Sequence, residues 1–477
     1  MPAGSRPLSD PNSLRWAVTN ANSGDTINFS FACPGTTSIT VNSALDIKKN
    51  LTITGPGAAC LSILGTNQSR VFTVESGVTA SISALTIANG KDSIVGGGVF
   101  SEGTLSLSNC VVTGNFVPYN MGIAVGGGGI ANAGTMTITN CSISNNSTDA
   151  TGGAIRNANA GTLNIINSTI SNNSSHDNGG GIWTKGTIHV SRSTFSGNSA
   201  AFGYSTSLSP EGGAIYVQGG GGSGGNNVGG SGTIVNSTFS ANAAKAYGGA
   251  ISNYGNLSVS ASTFSGNQIQ NGTGGGINTS DANGGSLTLK SSILAGSTVG
   301  NCLVTGSGLV SMGFNLSTDN SCAALNQATD HNGTDAGLDP TGLQSNGGST
   351  QTIALLSTSA AVNAGSCTDT AGTTVSTDQR GVARPQGATC DTGAFELESS
   401  ANTVTSTSDS GSGSLRDAIA NNSPPKAYSV IKPPATASET LVCKCRCVAM
   451  NANAPWNTEP SRNTTHSTTR AHGCCKT

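Results

Sequence analysis

The segment GGAISNYGNLSVSASTFSGN, residues 248–267, contains no Lys, Arg, Asp or Glu, and variants of it recur along the chain. Two other copies are GGAIRNANAGTLNIINSTISNN (152–173) and GGGIWTKGTIHVSRSTFSGN (179–198). The opening element, Gly-Gly-(Gly/Ala)-(Ile/Val), begins at Gly96, Gly127, Gly152, Gly179, Gly212, Gly248 and Gly274. Successive elements lie 25 to 36 residues apart, a spacing typical of stacked repeats that form a solenoid.

Each unit contains three short segments in which apolar residues alternate with polar ones. In the unit that begins at Gly152, these segments hold Ile155, then Leu163 and Ile165, then Ile170. Alternation with a period of two predicts strands with one buried face. Because a unit of this length cannot bury its apolar side alone, it must stack on its neighbours. We therefore predict an all-β fold, a right-handed single-stranded parallel β-helix of about ten turns, with a short helical cap at its N-terminal end and a β-rich cap at its C-terminal end.

Two columns of small or polar side chains are expected on successive turns. One consists of asparagines that hydrogen-bond along the stack or cap a turn: Asn115, Asn146, Asn173, Asn198, Asn242 and Asn267. In the other, Cys110 and Cys141 occupy equivalent places and serines follow them in later units. Residues on neighbouring turns are within disulfide reach when their side chains point toward each other. The two cysteines are therefore either a disulfide or two small buried residues.

The composition limits the class of protein. Of 477 residues, 67 are Gly and 9% are charged, and the formal net charge is −2. So little charge excludes a nucleic-acid-binding protein of the usual basic kind. The sequence has no apolar run of about 18 residues that would predict a transmembrane helix, and its first residues lack the apolar core of a signal peptide. The total of 13 cysteines is odd, so at least one has no partner within the chain.

The two ends of the sequence indicate how the chain is organised. The segment NSLRWAVTNA (12–21) predicts a short helix capped by Ser13, and GSLRDAIANN (413–422) repeats its pattern. We predict an N-terminal cap (1–30), a parallel β-helix (31–300, with repeats clearest in 96–297), a C-terminal cap (301–398), the start of a second cap motif (399–422) and a disordered tail (423–477). A shifted, non-native reading frame is an alternative origin for the tail. Its cysteines and histidines match no common zinc pattern.

Two parts of the sequence resemble known bacterial families. The units that combine GGAI with FSGN, as at Phe195–Asn198, resemble the GGAI and FxxN repeats of polymorphic outer-membrane proteins over residues 96–297. These are surface proteins with a right-handed β-helix passenger, and several are adhesins. Residues 313–396, which include GFNLSTDNSC and DQRGVARPQGATCDTGAFE, resemble the choice-of-anchor Q domain of large secreted bacterial proteins. The resemblance implies an extracellular or cell-surface location. The chain shows neither the signal peptide nor the anchor of such proteins, which fits a fragment of a longer polypeptide.

Parallel β-helices also include polysaccharide lyases and hydrolases, so acidic residues were considered as catalytic candidates. Asp149, Asp177 and Glu211 precede the Gly-Gly elements of successive units and are expected to lie near one another on one edge. They would serve as an acid pair or as calcium ligands. Solvated loop acids are the alternative that we favour. No other cofactor or metal is predicted.

Three aromatic residues are candidates for ligand binding. Trp183, Tyr216 and Tyr254 all follow Gly-Gly elements, and we expect them to share a face. Exposed rings on such a face would stack on sugars. Filling of the core is the alternative, and the sequence does not decide between the two.

The densest charge in the body of the chain lies between residues 378 and 396. Asp378, Arg380, Arg384, Asp391 and Glu396 are expected to form an ion-pair network that closes the end of the solenoid, with an active site as the alternative. Three further cysteine pairs are near each other in sequence: Cys33 with Cys60, Cys302 with Cys322, and Cys367 with Cys390. Disulfides there would suit an oxidising, extracellular compartment.

These features favour a non-catalytic surface or secreted protein that acts in adhesion or glycan binding. Its partner would be a cell-surface glycan or a protein of a host or neighbouring cell, and no nucleic acid. A carbohydrate-active lyase or hydrolase on the same fold is the first alternative, and a structural spacer or stalk is the second.

Overall fold

The computed structural model describes residues 10–31, 33–120, 126–200, 209–220, 229–272, 274–281 and 284–398. These residues belong to one compact unit and fold as a parallel β-helix of about ten turns with one short helix. Each turn contributes a strand to each of three long sheets. The predicted all-β parallel β-helix is therefore confirmed. The predictions for the second cap motif and the tail (399–477) lie outside the described residues.

The helix covers the N-terminal end of the solenoid. It spans Leu14–Asn20, and its first turn is capped by Ser13, whose hydroxyl accepts a hydrogen bond from the backbone N–H of Trp16. Leu14 and Val18 lie four residues apart on one face and are both buried in the main core.

The first sheet has eleven strands, and every neighbouring pair is parallel and in register. Alternate residues of each strand point into the solenoid, as in Thr162–Ile166, where Leu163 and Ile165 are fully buried. The strands are Thr26–Asn28, Leu51–Thr54, Thr79–Ser83, Thr104–Ser108, Thr135–Thr139, Thr162–Ile166, Thr187–Ser191, Ser231–Val235, Asn256–Ser260, Ser286–Lys290 and Leu309–Ser311.

The second sheet follows after a tight turn and also has eleven parallel strands. Its inward column includes Phe195, Phe239 and Phe264, whose rings stack with neighbouring centroids 4.7 Å apart. This distance matches the spacing of neighbouring strands. The strands are Thr37–Val41, Leu61–Gly65, Thr86–Ala88, Val111–Thr113, Ser142–Ser144, Thr169–Ser171, Thr194–Ser196, Thr238–Ser240, Thr263–Ser265, Ile293–Ala295 and Leu316–Ser317.

A third sheet of ten strands completes the turns, and a short sheet of six strands precedes it in the middle of the solenoid. The short sheet was not predicted; its strands are Phe116–Val117, Ser147–Thr148, Ser174–Ser175, Ser199–Ala200, Ala243–Ala244 and Gln268–Ile269. The third sheet begins after the Gly-Gly elements, and its inward column is mostly isoleucine. Its strands are Leu45–Ile47, Phe72–Val74, Val99–Ser101, Ile130–Asn132, Ile155–Asn157, Ile182–Thr184, Ile215–Val217, Ile251–Asn253, Ile277–Ser280 and Cys302–Thr305.

The Gly-Gly elements form the corner that precedes the third sheet. The first glycine of all seven elements has a positive φ, between 61° and 75°, a conformation that is costly for residues with a Cβ atom. The second glycine is needed for a different reason. A Cβ atom on Gly153 would lie 2.2 Å from the carbonyl oxygen of Gly180 on the next turn. The repeated glycines therefore allow both the turn and the close stacking of the backbone.

The asparagines form a continuous hydrogen-bonded ladder inside the turn after the second sheet. The Nδ2 of each asparagine from Asn115 to Asn242 donates to the Oδ1 of the next, over distances of 2.9 to 3.0 Å. The backbone N–H of each one donates to the same Oδ1 atom at 3.0 to 3.1 Å. All six residues are at most 1% exposed.

Cys110 and Cys141 are neighbours on consecutive turns but do not form a disulfide. The backbone N–H of Cys110 donates to Sγ of Cys141 at 3.3 Å, and that of Cys141 donates to Oγ of Ser168 at 3.0 Å. In-register side chains point the same way from strands about 4.8 Å apart, whereas a disulfide needs Cβ atoms about 3.8 Å apart. The two cysteines are thus small buried members of the column, and the disulfide interpretation is wrong.

The chain forms disulfides at the other three candidate pairs. Cys33 is bonded to Cys60, Cys302 to Cys322 and Cys367 to Cys390, with Cα atoms 5.7, 5.0 and 5.4 Å apart. Each bond closes a loop of similar length, with sequence separations of 27, 20 and 23 residues.

The segment after the last turn folds back along the outside of the second sheet. It begins with an antiparallel pair of strands, Leu338–Gln344 and Thr352–Leu355. Further on, Gln379 donates to Oγ1 of Thr194 at 2.9 Å and accepts from Oγ1 of Thr238 at 2.6 Å. These threonines lie on the outward side of the sheet and are nevertheless fully buried, because this C-terminal segment covers them.

The charged residues predicted to close the solenoid end instead stabilise this C-terminal segment. Arg384 donates to Oε2 of Glu396 at 2.9 Å, and Arg380 lies 2.8 Å from Oδ2 of Asp378. Asp391 accepts hydrogen bonds from two backbone N–H groups of the same segment. Burial raises the pKa of Glu396 and of Asp391. The network therefore lies against the side of the solenoid, which corrects the expected location.

Candidate functional site on the outer face of the third sheet

On the outward side of the third sheet, one residue follows the buried Ile in each of the last five Gly-Gly elements. Strand register aligns these residues on successive turns. We call them the outer column: Arg156, Trp183, Tyr216, Ser252 and Asn278. Neighbouring members are about 4.8 Å apart along the axis, as in any in-register sheet. The column is therefore a line of side chains of mixed chemistry.

A carboxylate joins the column at its centre. Glu211, just ahead of Gly212, accepts hydrogen bonds through Oε2 from Oγ of Ser252 at 2.6 Å and from the hydroxyl of Tyr254 at 2.8 Å. Asn278 donates to the same two hydroxyl oxygens, at 2.9 and 3.3 Å. With Tyr216 included, we call these five residues the Glu211 cluster.

The aromatic candidates differ in what their rings contact. The rings of Tyr216 and Tyr254 lie 5.8 Å apart at an interplanar angle of 47°, and both residues are half-buried. Trp183 is only 9% exposed, and the guanidinium of Arg156 lies 4.9 Å from its ring centre. The two tyrosines thus offer ring surface to a ligand, whereas Trp183 is largely covered.

Burial controls the protonation of the cluster. It raises the pKa of Glu211, while the hydroxyls of Ser252 and Tyr254 act in the opposite direction. Burial and the nearby Glu211 charge raise the pKa of Tyr216 above its usual range and raise that of Tyr254 to about 12. Both tyrosines are therefore hydrogen-bond donors at neutral pH and do not act as bases.

The three acids considered as catalytic candidates have separate partners. Thr148 pairs with Ser175 on the next turn, which brings the following residue, Asp149, beside His176. Asp149 lies 3.2 Å from Nδ1 of His176. Among the described residues, no hydrogen bond joins Asp149, Asp177 or Glu211 to another of the three. The three acids precede their Gly-Gly elements by three, two and one residues, so they do not occupy the same register position on successive turns.

Asp177 is half-buried, and burial raises the pKa of its carboxyl, with His176 acting in the opposite direction. Within the part of the chain that the structure describes, no group of three His, Cys, Asp or Glu side chains is placed to hold a metal ion. The described residues also contain no helix that is long and apolar enough to span a membrane.

Sequence reasoning missed three members of the site: Arg156, Ser252 and Asn278. Their common signal is positional, since each directly follows the Ile of GGAI or GGGI. Tyr254 lies two residues beyond this position and reaches the cluster from the end of its strand. Aligning the units on their glycines would have identified the column but not the contact with Glu211.

Comparison with known proteins gives a match to a repeat family and a likeness to solved structures. Residues 167–185 and 192–218 match the model of the Chlamydia polymorphic membrane protein repeat. No curated protein sequence matches the chain. Among solved structures, the pectate lyase Pel9A has 13% sequence identity and a TM-score of 0.43, covering 81% of this chain and 91% of that chain. The family match lies in the same turns as Trp183 and Tyr216, so part of the outer column is formed by repeats similar to those of polymorphic membrane proteins.

Proposed function

We propose that this protein is a non-catalytic bacterial surface or secreted protein that acts in adhesion and binds glycans. The polymorphic membrane protein repeat supports a surface protein of the adhesin type. Three disulfides support an oxidising, extracellular compartment. The resemblance of residues 313–396 to the choice-of-anchor Q domain is a sequence-based expectation that agrees with this location.

The observation that carries the proposal is the half-buried tyrosine pair beside Glu211. Aromatic rings provide rigid apolar surface with a polar tip, which suits the mixed apolar and hydroxyl surface of a sugar. The hydrogen bonds of Tyr254 to Glu211 and Asn278 hold its ring in place before any ligand arrives. A preorganised site loses less side-chain entropy on binding.

The same contacts argue for binding rather than cleavage. Glycoside hydrolysis commonly requires two carboxyl groups on either side of the scissile bond. Glu211 is the one carboxylate in its cluster, and its partners are the hydroxyls of Ser252 and Tyr254. An arrangement of one acid, two tyrosines and an amide has the chemistry of a recognition site.

A glycan-array screen of the full chain, with and without calcium, tests this function when product release is followed for every glycan that binds. Tyr216→Ala should weaken binding about tenfold, the equivalent of about 1.4 kcal/mol. Tyr119→Ala is the matched control, because Tyr119 is 58% exposed and lies outside the cluster. Binding without turnover supports an adhesin. Turnover would overturn the proposal in favour of an enzyme, and no binding to any glycan would favour a structural spacer.

A further inference from the structure

Aromatic rings of the outer column are paired with cations that the chain itself supplies. The guanidinium of Arg70 lies 5.0 Å from the ring centre of Phe100, and that of Arg156 lies 4.9 Å from the ring centre of Trp183. Strand register continues the outer column from Arg156 through Ala131 to Phe100, so both pairs lie on the same line of side chains. Attraction between a cation and the negative face of an aromatic ring stabilises both pairs.

The tyrosine pair of the Glu211 cluster has a different environment. In the described part of the chain, no Lys, Arg or His forms a salt bridge with Glu211. Its carboxylate is held by two neutral hydroxyls, those of Ser252 and Tyr254. Burial raises its pKa, and the effects that oppose this rise come from the neutral hydroxyls of Ser252 and Tyr254. Among the described residues, the cluster therefore combines two tilted rings with a carboxylate that forms no salt bridge.

Resting on the adhesion function proposed above, we propose that the Glu211 cluster binds the free amine of an amino sugar within a glycan. The ammonium forms charge-assisted hydrogen bonds with the Glu211 carboxylate. It also lies near the ring of Tyr216, an aromatic group that attracts a cation as Phe100 and Trp183 do. The ligand thus completes the cation–aromatic pattern of the column.

An amine attached directly to a sugar ring fits this site better than a lysine side chain. When such an amine reaches Glu211, the pyranose ring must lie against the surface next to the carboxylate. That surface is formed by the tyrosine rings, 5.8 Å apart, and aromatic rings suit a flat and partly apolar ligand. A lysine ammonium extends on a flexible four-carbon stem and requires no such surface beside it.

Two probes of equal length separate the amine from the rest of the sugar. β-1,4-linked glucosamine oligomers carry free amines, and N-acetylglucosamine oligomers have the same backbone with neutral amides. We expect the full chain to bind the glucosamine oligomer at least about tenfold more tightly, with binding that weakens as ionic strength rises. Glu211→Gln, which keeps a hydrogen-bond acceptor and removes the charge, should abolish this preference. Asp177→Asn removes one negative charge elsewhere along the same edge and should retain the preference for the glucosamine oligomer.

The outcomes distinguish this inference from the adhesion function. Equal binding of both oligomers, or a preference that survives in Glu211→Gln, would overturn the amine site while leaving glycan adhesion intact. Failure to bind any glycan on the array would overturn both. An oligolysine peptide provides the remaining comparison. If it binds more tightly than the glucosamine oligomer in a Glu211-dependent manner, the ligand class is a cationic protein and the amino-sugar assignment is wrong.

Discussion

Replacing Asn173 with Ala would test how strongly the asparagine ladder holds the turns together. Asn173 is fully buried near the middle of the ladder. Its Oδ1 accepts from the backbone N–H and from Nδ2 of Asn146, both at 3.0 Å. Its Nδ2 donates to the carbonyls of Ile143 and Ser171 at 2.9 and 3.0 Å and to Oδ1 of Asn198 at 2.9 Å.

The loss of stability depends on which groups that bind the Asn173 side chain keep another hydrogen bond after the substitution. The carbonyl of Ser171 still accepts from the backbone N–H of Asn145, and Oδ1 of Asn198 still accepts from the backbone N–H of residue 173. The backbone N–H of Asn146 loses its partner, and a buried unsatisfied donor costs roughly 1–3 kcal/mol. With smaller losses from the remaining bonds, we expect Asn173→Ala to lower the free energy of unfolding by about 3 kcal/mol.

Urea unfolding of the full chain, followed by circular dichroism, measures this loss. Asn164→Ala is a matched control from the same unit. Asn164 is half-buried on the outward side and makes one hydrogen bond of 3.4 Å to Thr137, so its loss should cost less than about 0.5 kcal/mol. Equal destabilisation by the two substitutions would refute the argument that the ladder stabilises the stack.

Three further predictions concern the core, the Glu211 cluster and the buried thiols. Phe239→Ala should cost about 3–5 kcal/mol, because Phe239 stacks on a phenylalanine on each side; Phe31→Ala, at a side chain 40% exposed, should cost far less in the same urea titration. Burial raises the pKa of Glu211, so the folded protein binds this proton more tightly than the unfolded chain does. As pH falls toward the raised pKa, the free energy of unfolding of the wild type should therefore increase relative to that of Glu211→Gln. A difference between their thermal midpoints that stays the same at every pH would contradict this. Alkylation followed by peptide mapping should modify Cys110 and Cys141 only after denaturation, since both are buried and unbonded; labelling in the native state would show that these turns open.

The sequence was informative where the same chemistry recurs in every unit. The asparagine ladder was predictable because Asn146, Asn173 and Asn198 occupy the same place in their units, and equal positions become neighbours in a solenoid. Whether Cys110 and Cys141 form a disulfide depends on the direction of their side chains, which the spacing of the repeats in the sequence does not specify. Parallel in-register strands set that direction and favour two separate thiols.

Contacts between distant parts of the sequence could not be predicted. Gln379 binds Thr194, which lies 185 residues earlier, and neither residue belongs to a motif that indicates the other. The same limit applies to Glu211 and Tyr254, whose hydrogen bond spans 43 residues and depends on the length of the intervening loop. Repetition therefore predicted the scaffold, whereas the site and the docking of the C-terminal segment depend on nonrepeating residues.

The C-terminal segment also determines where the solenoid can change length during evolution. Thr350 of this segment donates a hydrogen bond to the carbonyl of Arg192, and Thr392 donates one to the carbonyl of Phe314. The segment therefore contacts the solenoid from the turn that contains Arg192 to the turn that contains Phe314. A unit duplicated between these turns would move one end of the segment about 4.8 Å away from its partners. The segment and the solenoid could then no longer form all of their hydrogen bonds at once. A unit added before Arg192 would leave every one of these contacts unchanged. The N-terminal turns are thus the part of the protein in which duplication and deletion can occur without loss of the C-terminal docking.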